Sequence, residues 1–474
     1  MNPLLRTNEL VKMAARQQKR NIVIVGGGII GCTTAYFLTR HPKFDPTQHT
    51  ITLLEASSIA AGASGKAGGL LALWAYPECL VPLSYRLHRE LANEHNGAER
   101  WGYRQVGCGT IGAVVKNAEL QARGQGASTS TTSDLKVPAD SSAAAPNANL
   151  PIQATDDKNK NSEKDWEKLP KQDLAATSLL SESVLPSDLD WVDSSLVRSW
   201  DVMGRRGETE TAQAHPFHFT NAMADLAASK GVDIRLGAKV TNIISSSSSS
   251  SNGKVDTVEY QDRNNGNETK TITEVTDVIL TAGPWTGKIL PRSKIEGLRA
   301  HSVVYEAELS PYAVFTDIEL PSDWTPEHRR QKGQKRKHRG HVDPEIYARP
   351  FGEAYACGEP DKTIPLPETA DQVQCDEDQC NDLISYIATV SPILASAPVK
   401  TKQACYLPQH VRFGEERGPL IGQTSTPGLW IAAGHTCWGI QNGPATGLLM
   451  SELIFDGQAK SADIDKLDPK KFKV

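Results

Sequence analysis

No stretch of the 474-residue sequence approaches the roughly 18 consecutive apolar residues of a membrane-spanning helix. The opening MNPLLRTNELVKMAARQQKR lacks the continuous apolar run of a secretory signal, so none is expected. It reads instead as a short amphipathic helix, and Glu9 interrupts the basic face a mitochondrial presequence would present. The closing KKFKV is no peroxisomal tripeptide. None of the eight cysteines (Cys32, Cys79, Cys108, Cys357, Cys375, Cys380, Cys405, Cys437) forms a CxxC pair, and no Cys/His zinc spacing occurs. No metal site is therefore expected, and free thiols in a reducing, cytoplasmic setting fit best. An excess of positive charge is also lacking: 51 Lys and Arg stand against 56 Asp and Glu, and the net charge of −5 argues against nucleic acid as a partner. Hydrophobic residues reach only 39%, and the deficit is concentrated in a few segments.

Four segments carry that deficit. Residues 118–165 are rich in Ser, Thr, Ala, Gln, Asn and Asp, 245–253 contain seven consecutive serines, and 261–270 (QDRNNGNETK) are polar throughout. Residues 324–342 hold the basic run EHRRQKGQKRKHRGH. Such stretches bury too little apolar surface to offset chain entropy, so all four are expected to be disordered insertions on a folded body. The basic stretch 329–340 is a candidate for peripheral contact with an anionic membrane or for nuclear import, with a solvated loop as the plainer and preferred reading.

The rest alternates strands with helices. NIVIVG is a buried-strand run leading into GGGIIG and then into a helical pattern. Gly26, Gly28 and Gly31 form GxGxxG: the first for a tight turn, the second for a pyrophosphate to approach the backbone, the third for helix–strand packing. The following helix N-terminus supplies free N–H groups and partial positive charge for phosphates. The next strand, TITLLEA, ends in Glu55, near the expected spacing of about 20 residues for a carboxylate on the ribose hydroxyls. FHFTNAMADLAASKGVDIRL reads as helix, glycine stop and strand; AKVTNII and VTDVILTAGPWTG are further strands. In GLWIAAGHTCWGIQNGPATGLLMSELIFDG a strand leads through a long turn to a helix, with Asn442 as the expected cap and Pro444 in its first turn.

Immediately after Glu55 comes a second small-residue run, ASSIAAGASGKAGGLLA, unusual for a nicotinamide-type unit. Taken with AHPFHFTNAMADLAASKGVDIRLGAKVTNI, VILTAGPWTGKIL and GPLIGQTSTPGLWIAAGHTCWGIQNGPATGLLMSELI, it resembles the D-amino-acid-oxidase superfamily of FAD enzymes, the group holding glycine and sarcosine oxidases. Within that group it looks most like fungal FAD oxidoreductases of unassigned substrate, some associated with late-endosome trafficking. The resemblance implies an α/β chain, α+β overall. A Rossmann-like FAD-binding domain (20–84, 213–291, 405–458) would carry a discontinuous second domain on a mixed or antiparallel sheet (85–212, 292–404). It implies FAD held by Gly26, Gly28, Ile29, Ile30, Gly31, Glu55, Ala56, Ser64, Lys66, Ala67, Gly68, Gly69, Leu70, Val240, Ala282, Gly283, Trp285, Gly434, His435, Gly439, Ile440 and Gln441. Ser64 would donate to the pyrophosphate, Lys66 would neutralise it, and Val240 would pair its backbone with adenine. The helix after the last turn would point at the flavin edge where negative charge develops.

The implied reaction is oxidation of a C–N bond in an amine or amino-acid derivative by hydride transfer to flavin. The rival reading is a flavin protein whose main role is regulatory interaction in endosome-to-Golgi trafficking. His435 is the candidate acid–base residue, with a structural turn histidine as its plainer reading, and Cys405 falls where sarcosine-oxidase relatives attach flavin covalently. Tyr347, Tyr406 and Trp438 are candidate cavity walls, and His215 is expected to cap the helix after it. Three departures from the family pattern bear on the substrate. Leu407-Pro408 and Cys437 stand where relatives place carboxylate-binding arginines, with Arg349 or Arg412 as the substitutes. Ala356 is aligned with an oxygen-activating lysine.

Overall fold

The computed structural model describes residues 19–118, 120, 184–203, 210–246 and 253–474, so all but two residues of the 118–165 segment lie outside it. A six-stranded sheet runs in the order Leu420–Gln423, Leu429–Ala433, Asp277–Leu280, Arg20–Val25, His49–Glu55, Asp233–Leu236. Every neighbouring pair is parallel except the edge pair Leu420–Gln423 with Leu429–Ala433. Parallel strands are covered on both faces and read as unbroken apolar runs, as RNIVIV does. Ile22 and Ile24 pack beneath helices Ile29–Leu38, Val81–Glu94, Pro216–Ala228 and Gly439–Asp456, while Val23 and Val25 join Leu54, Val278 and Leu280 on the opposite face.

The first and last of those helices cross at close range. A Cβ on Gly447 would lie 2.6 Å from the Thr33 carbonyl carbon, and Thr33 Oγ1 donates to Gly443 O at 2.9 Å. Helix Gly439–Asp456 begins earlier than the sequence suggests. Trp438 precedes it, Asn442 lies inside and donates to Tyr76 O, and Pro444 is internal. An internal proline leaves the carbonyl four residues back without its N–H partner. That carbonyl, Ile440 O, is met instead by His88 Nε2 at 2.9 Å from the neighbouring helix.

A nine-stranded mixed sheet forms the second layer. Its main order is Glu415–Arg417, Val399–Arg412, Ile295–Glu306, Glu353–Cys357, Glu345–Arg349, Tyr312–Glu319, Gly107–Val114, Val197–Val202, with His341–Val342 paired to Tyr312–Glu319. Strand Val399–Arg412 pairs along nearly all of Ile295–Glu306, from Ile295↔His410 to Tyr305↔Val399, and carries the chain back toward the first sheet. Its packed side buries Val303, Tyr305, Ile346, Ala354 and Ala356 beneath helix Glu377–Val390.

Two of the expected disordered insertions are folded. Residues 261–270 form the turn and inner strand ends of a hairpin, Val255–Asp262 with Glu268–Ile272. Polar side chains suit an exposed ribbon, and Arg263 ties it down by bonding Asp371 bidentately and Ala56 O at 2.5 Å. Within 324–342, helix Glu327–Gln331 seats Arg329 in a buried ion pair with Asp382, and Lys332 pairs with Asp378. A basic run reads as solvated only if its charges find no buried partner, and Arg329 has one. Of 245–253, the strand Ala238–Ser245 takes in the first serine, and 247–252 lie outside the described residues. No described helix is long and apolar enough to cross a membrane.

Candidate functional site

The glycine turn is built as its chemistry demands. Gly26 sits at φ +112°, and a Cβ there would lie 2.7 Å from Thr281 O on the adjoining strand. A Cβ on Gly31 would lie 2.0 Å from Gly26 O, so only glycine lets the helix start this close to the strand end. The first intrahelical bond is Cys32 N to Gly28 O, which leaves the Ile30 and Gly31 amides without helical acceptors. The Ile29 amide donates to Ser64 Oγ at 2.9 Å, so the Ser64 hydroxyl hydrogen is directed elsewhere. Glu55 Oε2 accepts from Gly27 N at 2.7 Å and Oε1 accepts from Ser57 N at 2.8 Å, which pins the carboxylate against the turn.

A single cavity of 620 Å³ runs from this turn between the two sheets. It is lined by Gly26, Gly28, Ile29, Ile30, Glu55, Ala56, Ser64, Lys66, Ala67, Gly68, Gly69, Leu70, Val240, Ala282, Gly283, Trp285, Gly434, His435, Gly439 and Ile440, and by Cys405. Two expected residues stand apart. Gly31 acts through packing, and Gln441 turns away to accept from Ala72 N at 2.8 Å. The cavity suits a flavin dinucleotide on three observations. Its floor at Gly68 is so close to the Tyr347 ring that a Cβ would lie 2.8 Å from it. Two helix N-termini, at Ile30 and at Gly439, open onto it with free amides. At one end Lys239 and Lys288 close on Glu368 at 2.7 and 2.8 Å.

On the remaining wall Tyr347 and Trp438 stand where the sequence put them, and Glu345, Tyr355, Cys357 and Phe315 join them. Strands Glu345–Arg349 and Glu353–Cys357 pair antiparallel, so Glu345 faces Cys357 and Tyr347 faces Tyr355, and all four line the cavity. Tyr347 Oη donates a short hydrogen bond to Glu345 Oε2, and Cys357 Sγ lies 3.7 Å from the same oxygen. Burial pushes the Glu345 pKa up, opposed by the Tyr347 hydrogen bond. Phe315 and Trp438 add aromatic wall, with Phe315 and Tyr347 centroids 6.1 Å apart. The period-two alternation Glu-x-Tyr and Tyr-x-Cys was the available signal.

Several expectations change with the geometry. His435 Nε2 lies 3.0 Å from Thr446 Oγ1, and burial pulls its pKa down to about 3. Burial and the Thr446 contact support the plainer reading of a histidine that serves the turn. Cys405 is buried, and that burial pushes its thiol up to about 11, partly offset by Lys66. His215 makes no side-chain cap; its ring is bonded to Glu353 and Arg349. Arg349 reaches His215 and Glu353 through Nη2 alone, its Nε and Nη1 buried without a described hydrogen-bond partner, and Arg412 bonds Arg292 O and His410; neither lines the cavity. Among the described residues no arginine lines the cavity. Ala356 belongs to the opposite face, in the second core, and the cavity-facing neighbours are Tyr355 and Cys357. Tyr406 bonds Ile364 O and Pro365 O outside the cavity.

Comparison with known proteins agrees with this geometry. The family described as DAO, FAD dependent oxidoreductase, matches residues 21–453. A Saccharomyces cerevisiae protein named "Putative oxidoreductase TDA3" is 36% identical over 519 residues, covering 95% of this chain and 94% of its own length. A Schizosaccharomyces pombe protein of similar designation, C1F5.03c, is 32% identical, covering 95% and 98%. Among solved structures, glycine oxidase from Bacillus cereus superposes with a TM-score of 0.58 at 18% identity, covering 93% of this chain and 96% of that one. L-proline dehydrogenase from P. horikoshii gives 0.58 at 16%, covering 96% and 98%.

Proposed function

Because the chain belongs to the DAO family of FAD-dependent oxidoreductases, we propose that it oxidises a C–N bond in an amine that is not a free amino acid. The observation that carries this reading is the wall of the cavity: Phe315, Tyr347, Tyr355 and Trp438 line it and no described arginine does. A substrate carboxylate is ordinarily held by a bidentate guanidinium, and none of the described residues lining the cavity supplies one. The same proposal assigns the six-stranded sheet and its turns to cofactor binding and the nine-stranded sheet to substrate binding.

FAD, when bound, supplies the hydride acceptor, taking two electrons and one hydrogen from the carbon beside nitrogen and leaving an imine that water hydrolyses. The protein's part is to hold and to exclude. The Ile30, Gly439 and Ile440 amides present donors to anionic groups, and Ser64, fixed by the Ile29 amide, presents its hydroxyl hydrogen. Glu55 offers remaining lone pairs to ribose hydroxyls. Lys66 Nζ is held by Ala404 O at 2.9 Å, which places a positive charge beside the buried Cys405 strand. The aromatic wall keeps water from the carbon that loses hydride.

The test is product analysis with the purified, flavin-loaded protein. Amines lacking a carboxylate should be consumed with release of the matching aldehyde or ketone and the shortened amine. Turnover confined to glycine, sarcosine or other free amino acids would contradict the reading.

A further inference from the structure

The cavity has an acidic side chain with no role in holding a dinucleotide. Glu345 lies on the substrate-side wall, and both of its protein donors, Tyr347 Oη and Cys357 Sγ, reach the same oxygen, Oε2. Among the described residues Oε1 accepts no hydrogen bond, so it is the oxygen open to a ligand. The surrounding surface is aromatic, with Tyr347 and Tyr355 centroids 5.8 Å apart and Phe315 adjoining. Of the cavity's lysines, Lys239 and Lys288 pair with Glu368, while Lys66, held by Ala404 O, keeps its charge on the Cys405 side and makes no described bond to Glu345. A carboxylate beside aromatic rings, paired with no cation among the described residues, is an arrangement that binds an ammonium group.

We propose that Glu345 Oε1 anchors the positive charge of a cationic amine substrate, with Tyr347, Tyr355 and Phe315 as the enclosing rings. This rests on the amine reading and narrows it: the substrate bears a cationic nitrogen and no carboxylate, since a second carboxylate beside Glu345 would be repelled. Tyr347 and Cys357 fix the rotamer of Glu345 and spend Oε2, so that one oxygen is presented to the ligand.

The test is a binding titration on the flavin-loaded protein, read by the perturbation of the flavin spectrum. The probe is benzyltrimethylammonium, a permanent cation that cannot transfer hydride, with phenylacetate as its anionic counterpart. Benzyltrimethylammonium should perturb the spectrum and phenylacetate should not, and E345Q should weaken the cation by about tenfold or more. An unchanged dissociation constant in a flavin-replete E345Q, or tighter binding of phenylacetate, overturns the proposal. If E345Q does not retain flavin, the wild-type pH profile decides. The titratable groups facing Glu345 are Tyr347, Cys357, Cys108, Cys437 and Asp343. Affinity for the cation should fall as pH drops toward and through the raised Glu345 pKa, and D343N should keep that fall. A flat profile between about pH 8 and pH 4 overturns the proposal. Cation binding without oxidation of any amine would leave the anchor standing and sink the amine reading; amine oxidation indifferent to residue 345 would do the reverse.

Discussion

At the scale of single residues, two side chains and one missing Cβ decide whether the cofactor is held. Gly31→Ala puts a methyl group 2.0 Å from Gly26 O, so the helix must retreat from the turn. The purified variant should carry little flavin per chain, as measured by absorbance ratio. Glu55→Gln weakens a charge-assisted bond to Gly27 N, an interaction of about 1.5–3 kcal/mol, so FAD affinity should fall by roughly one to two orders of magnitude. Cys405 is held as a thiol by burial, which disfavours the nucleophile that covalent attachment needs. Acid precipitation should therefore leave the flavin in the supernatant; colour in the pellet would contradict this and point to Cys405. The glycines and Glu55 were legible in the sequence because their geometry is local, a strand running straight into a turn. Glu345 was not, because its meaning depends on a hairpin partner and on which face of a strand looks inward.

At the scale of elements, helix Gly439–Asp456 depends on a neighbour. Its internal Pro444 leaves Ile440 O without a helical donor, and His88 supplies one. His88→Ala removes the donor and opens a buried gap, so unfolding in urea should show a loss of about 2–4 kcal/mol. His88→Gln should recover part of that loss if its amide reaches the carbonyl. Sequence alone placed the cap at Asn442 and Pro444 in the first turn, because proline is favoured there; the compensating histidine lies on another helix and has no local signature. The basic stretch 329–340 teaches the same lesson. Arg329→Ala strands buried Asp382 with only His328 beside it, at a cost of about 3–5 kcal/mol. Deleting the whole stretch to test a membrane or trafficking role would thus report on folding; substituting Lys335, Lys337 and Arg339 together is the cleaner test of that role.

At the scale of the whole molecule, three buried histidines set a pH limit. Burial pulls His88 and His215 down to about 4 and His435 to about 3, from an ordinary value of 6.5. The folded protein resists protonation that the unfolded chain accepts below pH 6.5. Stability is therefore unaffected by these groups above that pH and falls as pH drops from 6.5 toward 4, by up to about 1.4 kcal/mol per pH unit for each histidine. Glu353, held at about 2 by bonds to His215 and Lys400 against the cost of its burial, adds a further loss at lower pH. Chemical denaturation at stepped pH should show this steepening. The division into a mostly parallel sheet and a mixed sheet was expected from the family resemblance carried by the glycine turn and the segments that follow it. The ordered hairpin at 255–272 and the seated basic helix were not, because both are fixed by partners far along the chain, Asp371 and Asp382.

The most direct test of the account is anaerobic mixing of the flavin-loaded protein with paired compounds that differ only in a carboxylate, such as N-methylbenzylamine and N-methylphenylglycine, followed by the loss of visible flavin absorbance. The account predicts reduction by the amine and little by its carboxylated counterpart. Reduction by the amino acid with the amine inert would contradict it.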